Sequence, residues 1–219
     1  GRVTENMTYD ADISINQLNL HHFLPKDSIY TLSADIKAKG HGTDMLSNQS
    51  RLDANANVRL LKYGDMNLDN LTASATLQNG HALANMTGHN EIFDGTMSID
   101  MLLDKKQIDG TVSADLAKAD LYQMRLLDKH LTIGTHGSLK ITSDMNKTHY
   151  VSGRLYEVYV KDLRKTYTPG DVGILIKAYP DTTVVRAQSG DFILKFDGSG
   201  GYEQLMSQAT VLSDSVMTT

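Results

Sequence analysis

No cysteine occurs in these 219 residues. The chain therefore offers no disulfide framework and no thiolate metal site. Such a chain suits an oxidising compartment such as the periplasm, where stray thiols mispair, although many cytosolic proteins also lack the residue. Tryptophan is absent too, and aromatic residues make up only 6%. A compact core of this size usually holds more large rings, so a thin or open apolar interior is expected. No basic run occurs and the net charge is −5. Nucleic acid and anionic membrane surfaces, which both favour clustered basic residues, are poor targets. No stretch approaches the ~18 consecutive apolar residues of a membrane-crossing helix, and no signal peptide is expected. The opening Gly1-Arg2-Val3 reads as a cleavage scar on an excerpt from a longer protein.

Motifs of catalysis are missing as well. Eight histidines are present. His21-His22 are adjacent and His81 and His89 lie eight apart, but there is no HExxH and no tight His/carboxylate cluster, so solvent-facing roles are expected and no metal. Gly198-Ser199-Gly200-Gly201 lacks the GxxxxGK[ST] of a phosphate loop and reads as a flexible helix entry. The pairs Asp94-Gly95 and Asp109-Gly110 lack the spacing of a calcium loop. No GxSxG occurs, and no acid pair marks a carbohydrate-active enzyme. The expectation is no catalytic residue, no cofactor and no enzyme.

What the chain does have is period two. Leu52, Ala54, Ala56, Val58 and Leu60 alternate with Arg51, Asp53, Asn55, Asn57 and Arg59. Met97, Ile99, Met101 and Leu103 do the same, as do Ile108, Val112, Ala114 and Leu116, and Val172, Ile174, Ile176 and Ala178. Such alternation builds strands with one apolar and one wet face, the habit of antiparallel sheets. Turn residues separate the runs, among them Asn79-Gly80, which fits a tight hairpin of the primed type. About a dozen strands in a meander are expected. In GDMNLDNLTASATL the apolar parity switches from Met66 and Leu68 to Leu71, Ala73, Ala75 and Leu77, and a β-bulge near Asp69–Asn70 would restore the face. Three segments read as short helices: Asn16–Pro25, Lys118–Lys129 with Asp120 as N-cap, and the run 201–212. The first two recur in similar context about 100 residues apart.

One pair of runs is almost a repeat. DGTMSIDM from Asp94 returns as DGTVSADL from Asp109. The two copies read as consecutive strands on one face, turned at Lys105-Lys106. A dozen such strands can form a barrel, a two-sheet sandwich or one long sheet curled into a trough. The inward set includes Ala54, Ala56, Ala73, Ala75, Ala82, Ala84 and Ala114, and the chain has ten methionines. Small residues with few rings suit a narrow space left for a ligand, and thioethers adapt to variable apolar ligands. Alanine also lets two sheets approach closely, and methionine fills gaps in ordinary cores. Composition leaves both open.

The order of the pieces carries a resemblance. DLYQMRLLDKHLTIG (Asp120–Gly134), the run from GRLYEVYVKD to GYEQLM (Gly153–Met206) with its pair closing on Ser189-Gly190-Asp191, and the DGTMSIDM/DGTVSADL echo together resemble the TamB (translocation and assembly module) proteins of the AsmA-like, repeating β-groove superfamily. The resemblance runs from about Ala11 to Ala209 and rests on element order, not on an invariant motif. It implies an all-β fold with short helices, a long antiparallel sheet curled into a U-shaped trough, the β-taco. It implies a parent anchored in the inner membrane of a Gram-negative bacterium, with this segment in the periplasm. The partners it implies are phospholipid acyl chains, shielded in transit between the membranes, and an Omp85-type barrel through outer-membrane protein assembly. The expected organisation is a lead-in over residues 1–10, one groove segment over 11–209 with weak repeat units near 11–44 and 113–144, and a tail over 210–219. The expected groove lining is Leu52, Ala54, Ala56, Val58, Leu60, Met66, Leu68, Ala73, Ala75, Met97, Ile99, Met101, Leu103, Ile108, Val112, Ala114 and Leu116. The rival expectation is a structural or chaperone-like β-module that pairs with other β-proteins through exposed sheet edges.

Overall fold

Twelve strands pair strictly in the order of sequence. They are β1 (Thr8–Asn19), β2 (Ile29–His41), β3 (Arg51–Tyr63), β4 (Met66–Gln78), β5 (His81–His89), β6 (Phe93–Leu103), β7 (Ile108–Asp120), β8 (Thr132–Ser143), β9 (His149–Lys161), β10 (Thr166–Ala178), β11 (Thr182–Ser189) and β12 (Phe192–Ser199). The structure is a computed structural model that describes residues 7–19, 29–63 and 66–200, with the backbone alone for Ile29, Tyr30, Tyr63 and Met66. Every neighbouring pair is antiparallel, and all twelve strands form one sheet. The sheet is not closed: among the described residues β1 pairs only with β2, and β12 only with β11.

Hairpin chemistry sets the register. Asn79 (φ 54°) and Gly80 (φ 73°) supply the two positive-φ residues of the tight turn between β4 and β5, and Gln78 faces His81 across it. Elsewhere aspartates organise the turns. The Asp144 carboxylate accepts the amide N–H groups of Asn146, Lys147 and Thr148 at 2.9, 2.9 and 2.8 Å. Asp162 accepts those of Arg164 and Lys165 at 2.6 Å each.

A line of irregularities crosses the sheet at one height. It lies just beyond the rung that runs from Ile15 through Ala34, Val58, Leu71, Gly88, Gly95 and Leu116 to Thr135. The register slips there in β1 between Ile15 and Leu18, between β2 and β3 at Arg59, between β7 and β8 past Leu116, and around Gly170 in β10. Gln17, Asn70 and Glu157 each take φ 49° on this line. Bulges of this kind bend a strand and raise its twist. The amide of Gln17 donates to the buried Ser33 hydroxyl at 2.9 Å, so the bulge leaves no orphan donor there. Near the bulge expected at Asp69–Asn70 the face is restored, since Leu68 and Leu71 belong to one apolar cluster. This comes through a positive φ at Asn70 and without a slip in the β3–β4 register, which runs from Val58–Leu71 to Leu60–Asp69 unshifted.

That cluster is the packed core, and it sits past the crease. Phe93 and Ile92 are almost fully buried with Ala119, Leu68 and Leu116, and Leu61, Leu121, Met124 and Ile133 pack around them. The Asn90 side chain fixes the approach by accepting the amides of Ile92 and Phe93 at 2.9 Å each.

The short helices are not found among the described residues. Asn16–Asn19 continue β1, and the rest of Asn16–Pro25 and the run 201–212 lie outside the described residues. Residues 118–120 end β7, and the chain then makes a single turn. The Met124 amide donates to the Asp120 carbonyl at 2.9 Å, and the Asp120 carboxylate caps the Gln123 amide at 2.9 Å. The Leu126 and Leu127 amides both return to the Leu121 carbonyl, which closes the turn. One turn costs more entropy than its few bonds return, so packing of Leu121 and Met124 on the core holds it and nothing extends it. Gly198-Ser199 likewise end β12 and lead into no helix among the described residues.

Candidate functional site: the apolar face

Residues directly opposite in an antiparallel ladder share a face. Followed from strand to strand, one rung reads Ala11, Ala38, Ala54, Ala75, Ala84, Ile99, Val112, Leu139, Gly153, Ile174, Ala187 and Leu194. It crosses all twelve strands without a polar side chain. The rung on one side of it runs Tyr9, Gly40, Leu52, Leu77, Ala82, Met101, Gly110, Ile141, Val151, Ile176, Val185 and Phe196. The rung on the other side runs from Ile13 through Ile36, Ala56, Ala73, Met86, Met97, Ala114, Gly137 and Leu155 to Val172. Together they make an apolar band three rungs wide.

No second sheet lies over this band among the described residues, because each strand packs chiefly on its ladder neighbours. Ile13, Ile99 and Leu194 are 45%, 39% and 49% exposed. Strand interiors of a sandwich are buried on such a face, so this band is an open surface and not a completed core. The side chains are graded along it. Alanine dominates over β1 to β5, and Ile, Val and Leu take over from β6. Over the alanines lies a hollow of ≈350 Å³ bordered by Ile36, Ala54, Ala56, Ala73, Ala75, Ala84, Met86, Met97 and Ile99.

The expected lining residues are placed as follows. Leu52, Ala54, Ala56, Ala73, Ala75, Met97, Ile99, Met101, Val112 and Ala114 lie in the three rungs, and Val58 lies in the next. Leu103 and Ile108 face each other at the hairpin end of the band. Leu68 and Leu116 are on the same face but buried in the core past the crease. Met66 opens β4 opposite Tyr63 and is placed by its backbone alone. Leu60 is off the band: it pairs with Ser33 and Asp69 on the wet side. The cause is the slip at Arg59, after which Leu61 takes the apolar position against Leu32 and Leu68. Alternation alone missed this because both residues are leucine. The rungs also include Ile13, Met86, Leu139 and Leu155. The alternation in ADISI and ADIKAKG was the signal that could have found the contribution of β1 and β2.

The opposite face is wet and charge-paired. Lys37 meets Asp12 at 3.3 Å, Lys39 meets Asp10 at 3.6 Å, Lys140 meets Asp109 at 3.7 Å and Arg59 pairs with Asp35. A polar rung, Asp12-Lys37-Asn55-Ser74-Asn85-Ser98-Ser113-Ser138-Arg154, backs the alanines. His81 and His89 each contact an aspartate, Asp100 and Asp94, at 2.7 Å, and His136 stacks on Tyr156. No group of three or more metal-ligating side chains gathers among the described residues. Tyr150, Tyr156 and Tyr159 also stand on this face, while Tyr167 pairs with Val160 on the apolar side. A larger hollow of ≈930 Å³ lies near the hairpin ends of β2 to β5 among Lys39, Arg51, Asp53, Gln78 and His81. Its charges are spent on neighbours: Lys39 on Asp10 and Arg51 on the Asn48 and Ser50 carbonyls. The smaller hollow is the candidate site because alanine, isoleucine and methionine side chains of the apolar band border it.

Two acids depart from the ordinary carboxylate range. The amides of Thr148 and Asn146 hold the Asp144 carboxyl down to about 2, and those of Arg164 and Lys165 lower Asp162. Both are turn carboxylates in open solvent, at hairpin ends away from the apolar band. The arrangement can bind apolar matter and has no described nucleophile or base aimed at it.

Comparison with known proteins gives no match: no family model, no curated protein and no solved structure aligns significantly with this chain.

Proposed function

We propose that the apolar band shields lipid acyl chains, as the non-enzymatic segment of a TamB-like protein moving phospholipid between the inner and outer membranes. The single observation behind this reading is the unbroken rung from Ala11 to Leu194, left open on a sheet that has no second layer among its described residues. In this reading the crease curls the sheet into a trough, and the acyl chain lies across the strands. Twelve strands at ~4.8 Å spacing span roughly 53 Å, longer than one lipid. Each CH₂ buried against the band gains about 0.8 kcal/mol, so tails are held without any polar contact while headgroups stay in water at the rim. The alanines supply depth and the methionines Met86 and Met97 supply adaptability at its border. Localisation in the periplasm, a parent anchored in the inner membrane and an Omp85-type barrel partner follow from the TamB resemblance and belong to the same proposal.

Native mass spectrometry of the chain purified from cells with phospholipid membranes, together with titration by a fluorescent phospholipid, tests it. Copurified phospholipid and saturable binding support the reading. Absence of both sinks it in favour of a structural module that works through its sheet edges.

A further inference from the structure

The two ends of the sheet are complementary to each other. The Gly42 amide donates to the Met7 carbonyl at 2.9 Å, so the odd residues of β1 up to Ile15 bond inward to β2 and the even ones point outward. The Gly200 amide donates to the Asp181 carbonyl at 2.7 Å, so the even residues of β12 bond inward and the odd ones outward. On both edges the outward bonding groups thus belong to wet-face residues. An even number of alternating strands also leaves β1 and β12 running in opposite directions. A copy placed beside the sheet in the same orientation therefore meets it with antiparallel direction, matched bonding groups and matched faces all at once. The charges agree. Lys195 stands directly opposite Arg186, whose guanidinium is held by Asp197 at 2.6 Å, and Lys195 makes no ion pair among the described residues, so an acid across the edge would meet it. Asp10, 3.6 Å from Lys39, occupies the same polar rung at the other end.

We propose that β12 pairs with β1 of a second copy in the register that sets Ala11 opposite Leu194 and Asp10 opposite Lys195. The same register sets Ile13 opposite Phe192 and Tyr9 opposite Phe196, so all three apolar rungs pass from one copy into the next. The contact is heterologous and does not close, so it builds an open series of copies rather than a dimer alone. It is one strand wide, well below the ~1,600 Å² of a standard stable interface, so the association is weak and rises with concentration. The inference rests on the edges and is independent of what the apolar band carries.

Because the chain has no cysteine, the register can be read by cross-linking. Ala11 and Leu194 would form a non-hydrogen-bonded pair with Cα atoms about 4.5 Å apart, within disulfide reach. Ala11→Cys and Leu194→Cys are each made in the full chain, with thermal melts to confirm folding. On mild oxidation, an equimolar mixture is expected to give several-fold more disulfide dimer than either variant alone. Asp10→Lys in the first variant lowers that yield at least threefold, and Lys195→Asp in the second restores it. The unmodified chain sediments with a mean mass that rises with concentration beyond that of a dimer. A chain monomeric over the whole range, equal yields with and without mixing, or a charge swap that restores nothing would each overturn the proposal.

Discussion

The ring of Tyr159 lies flat over Gly134, its direct cross-strand partner, and its hydroxyl donates to the Ala117 carbonyl on the next strand at 2.6 Å. A methyl group on Gly134 would overlap the ring. The glycine weakens its strand and the tyrosine covers the gap, tying β7, β8 and β9 together beside the crease. Tyr9 treats Gly40 the same way, with its hydroxyl reaching the Arg51 carbonyl at 3.4 Å. Tyr159→Ala is expected to cost about 1–3 kcal/mol from the lost ring contact and hydrogen bond. Gly134→Ala is expected to destabilise when Tyr159 is present. In the Tyr159→Ala background it should be neutral or stabilising, since Gly134 does not have a positive φ. A double-mutant cycle by urea denaturation reads the coupling; additive effects would refute the pairing.

Ile99 and Leu68 separate the open band from the packed core. Both are apolar-face residues, but Leu68 is 8% exposed within the core cluster and Ile99 stands half open beside the alanine hollow. Leu68→Asp should destabilise by more than about 3 kcal/mol, because the charge has no partner there. Ile99→Asp should leave the melting curve within a few degrees of the parent while abolishing phospholipid binding. If Ile99→Asp unfolds the chain, the band is ordinary core.

Gly80 is the turn residue that a side chain cannot replace. Its φ is 73°, a Cβ there would sit 2.6 Å from the Leu103 carbonyl oxygen, and its own carbonyl accepts the Leu103 amide at 2.6 Å. Gly80→Ala therefore strains the β4–β5 turn and pushes on β6 together, at a cost of roughly 2 kcal/mol. Hydrogen exchange should accelerate at His81 and Leu103 and stay unchanged at the distant β10–β11 pair.

Acid titration should expose the Asp144 turn. Its folded carboxyl is held down to about 2, below the 3.8 of an ordinary aspartate. The depressed group stabilises the turn fully above about 3.8, and that contribution is lost as the pH falls through about 2. NMR titration should place the Asp144 midpoint near 2, with the Asn146 and Thr148 amides shifting in step. A midpoint at the ordinary value would remove the hydrogen-bond account.

Much of the sheet was legible because period two is a local signal. Ala54 and Ala75, or Ile99 and Val112, announce their shared face by their neighbours alone, and the pairing confirms it. The DGTMSIDM/DGTVSADL echo became two adjacent strands with Met97 opposite Ala114. Legibility failed where a non-local fact decided. Leu60 and Leu61 are chemically alike, and only the slip against β2 selects Leu61 for the apolar side. The run after Asp120 carries a helix's capping signal, but only Leu121 and Met124 pack on the core around Phe93 and Ile92, Leu126 and Leu127 stay exposed, and the chain folds back after one turn. The wet-face pairing of Lys37 with Asp12 was invisible for the same reason, since it joins residues from different strands.

The aligned crease has a consequence for how such a sheet can change length. Beyond Gln17, Arg59, Asn70 and Glu157 the strands β1, β3, β4 and β9 read their pattern shifted by one while β2 and β8 keep theirs, like a message whose frame changes at the same word on some of its lines. Losing one residue from a strand on either side of that line would turn the remainder inside out against unaltered neighbours. Whole pairs of residues can be gained or lost at the hairpin tips without such a penalty. Insertions and deletions in this architecture should therefore collect at the tips in even steps, and the crease should hold its height across the sheet.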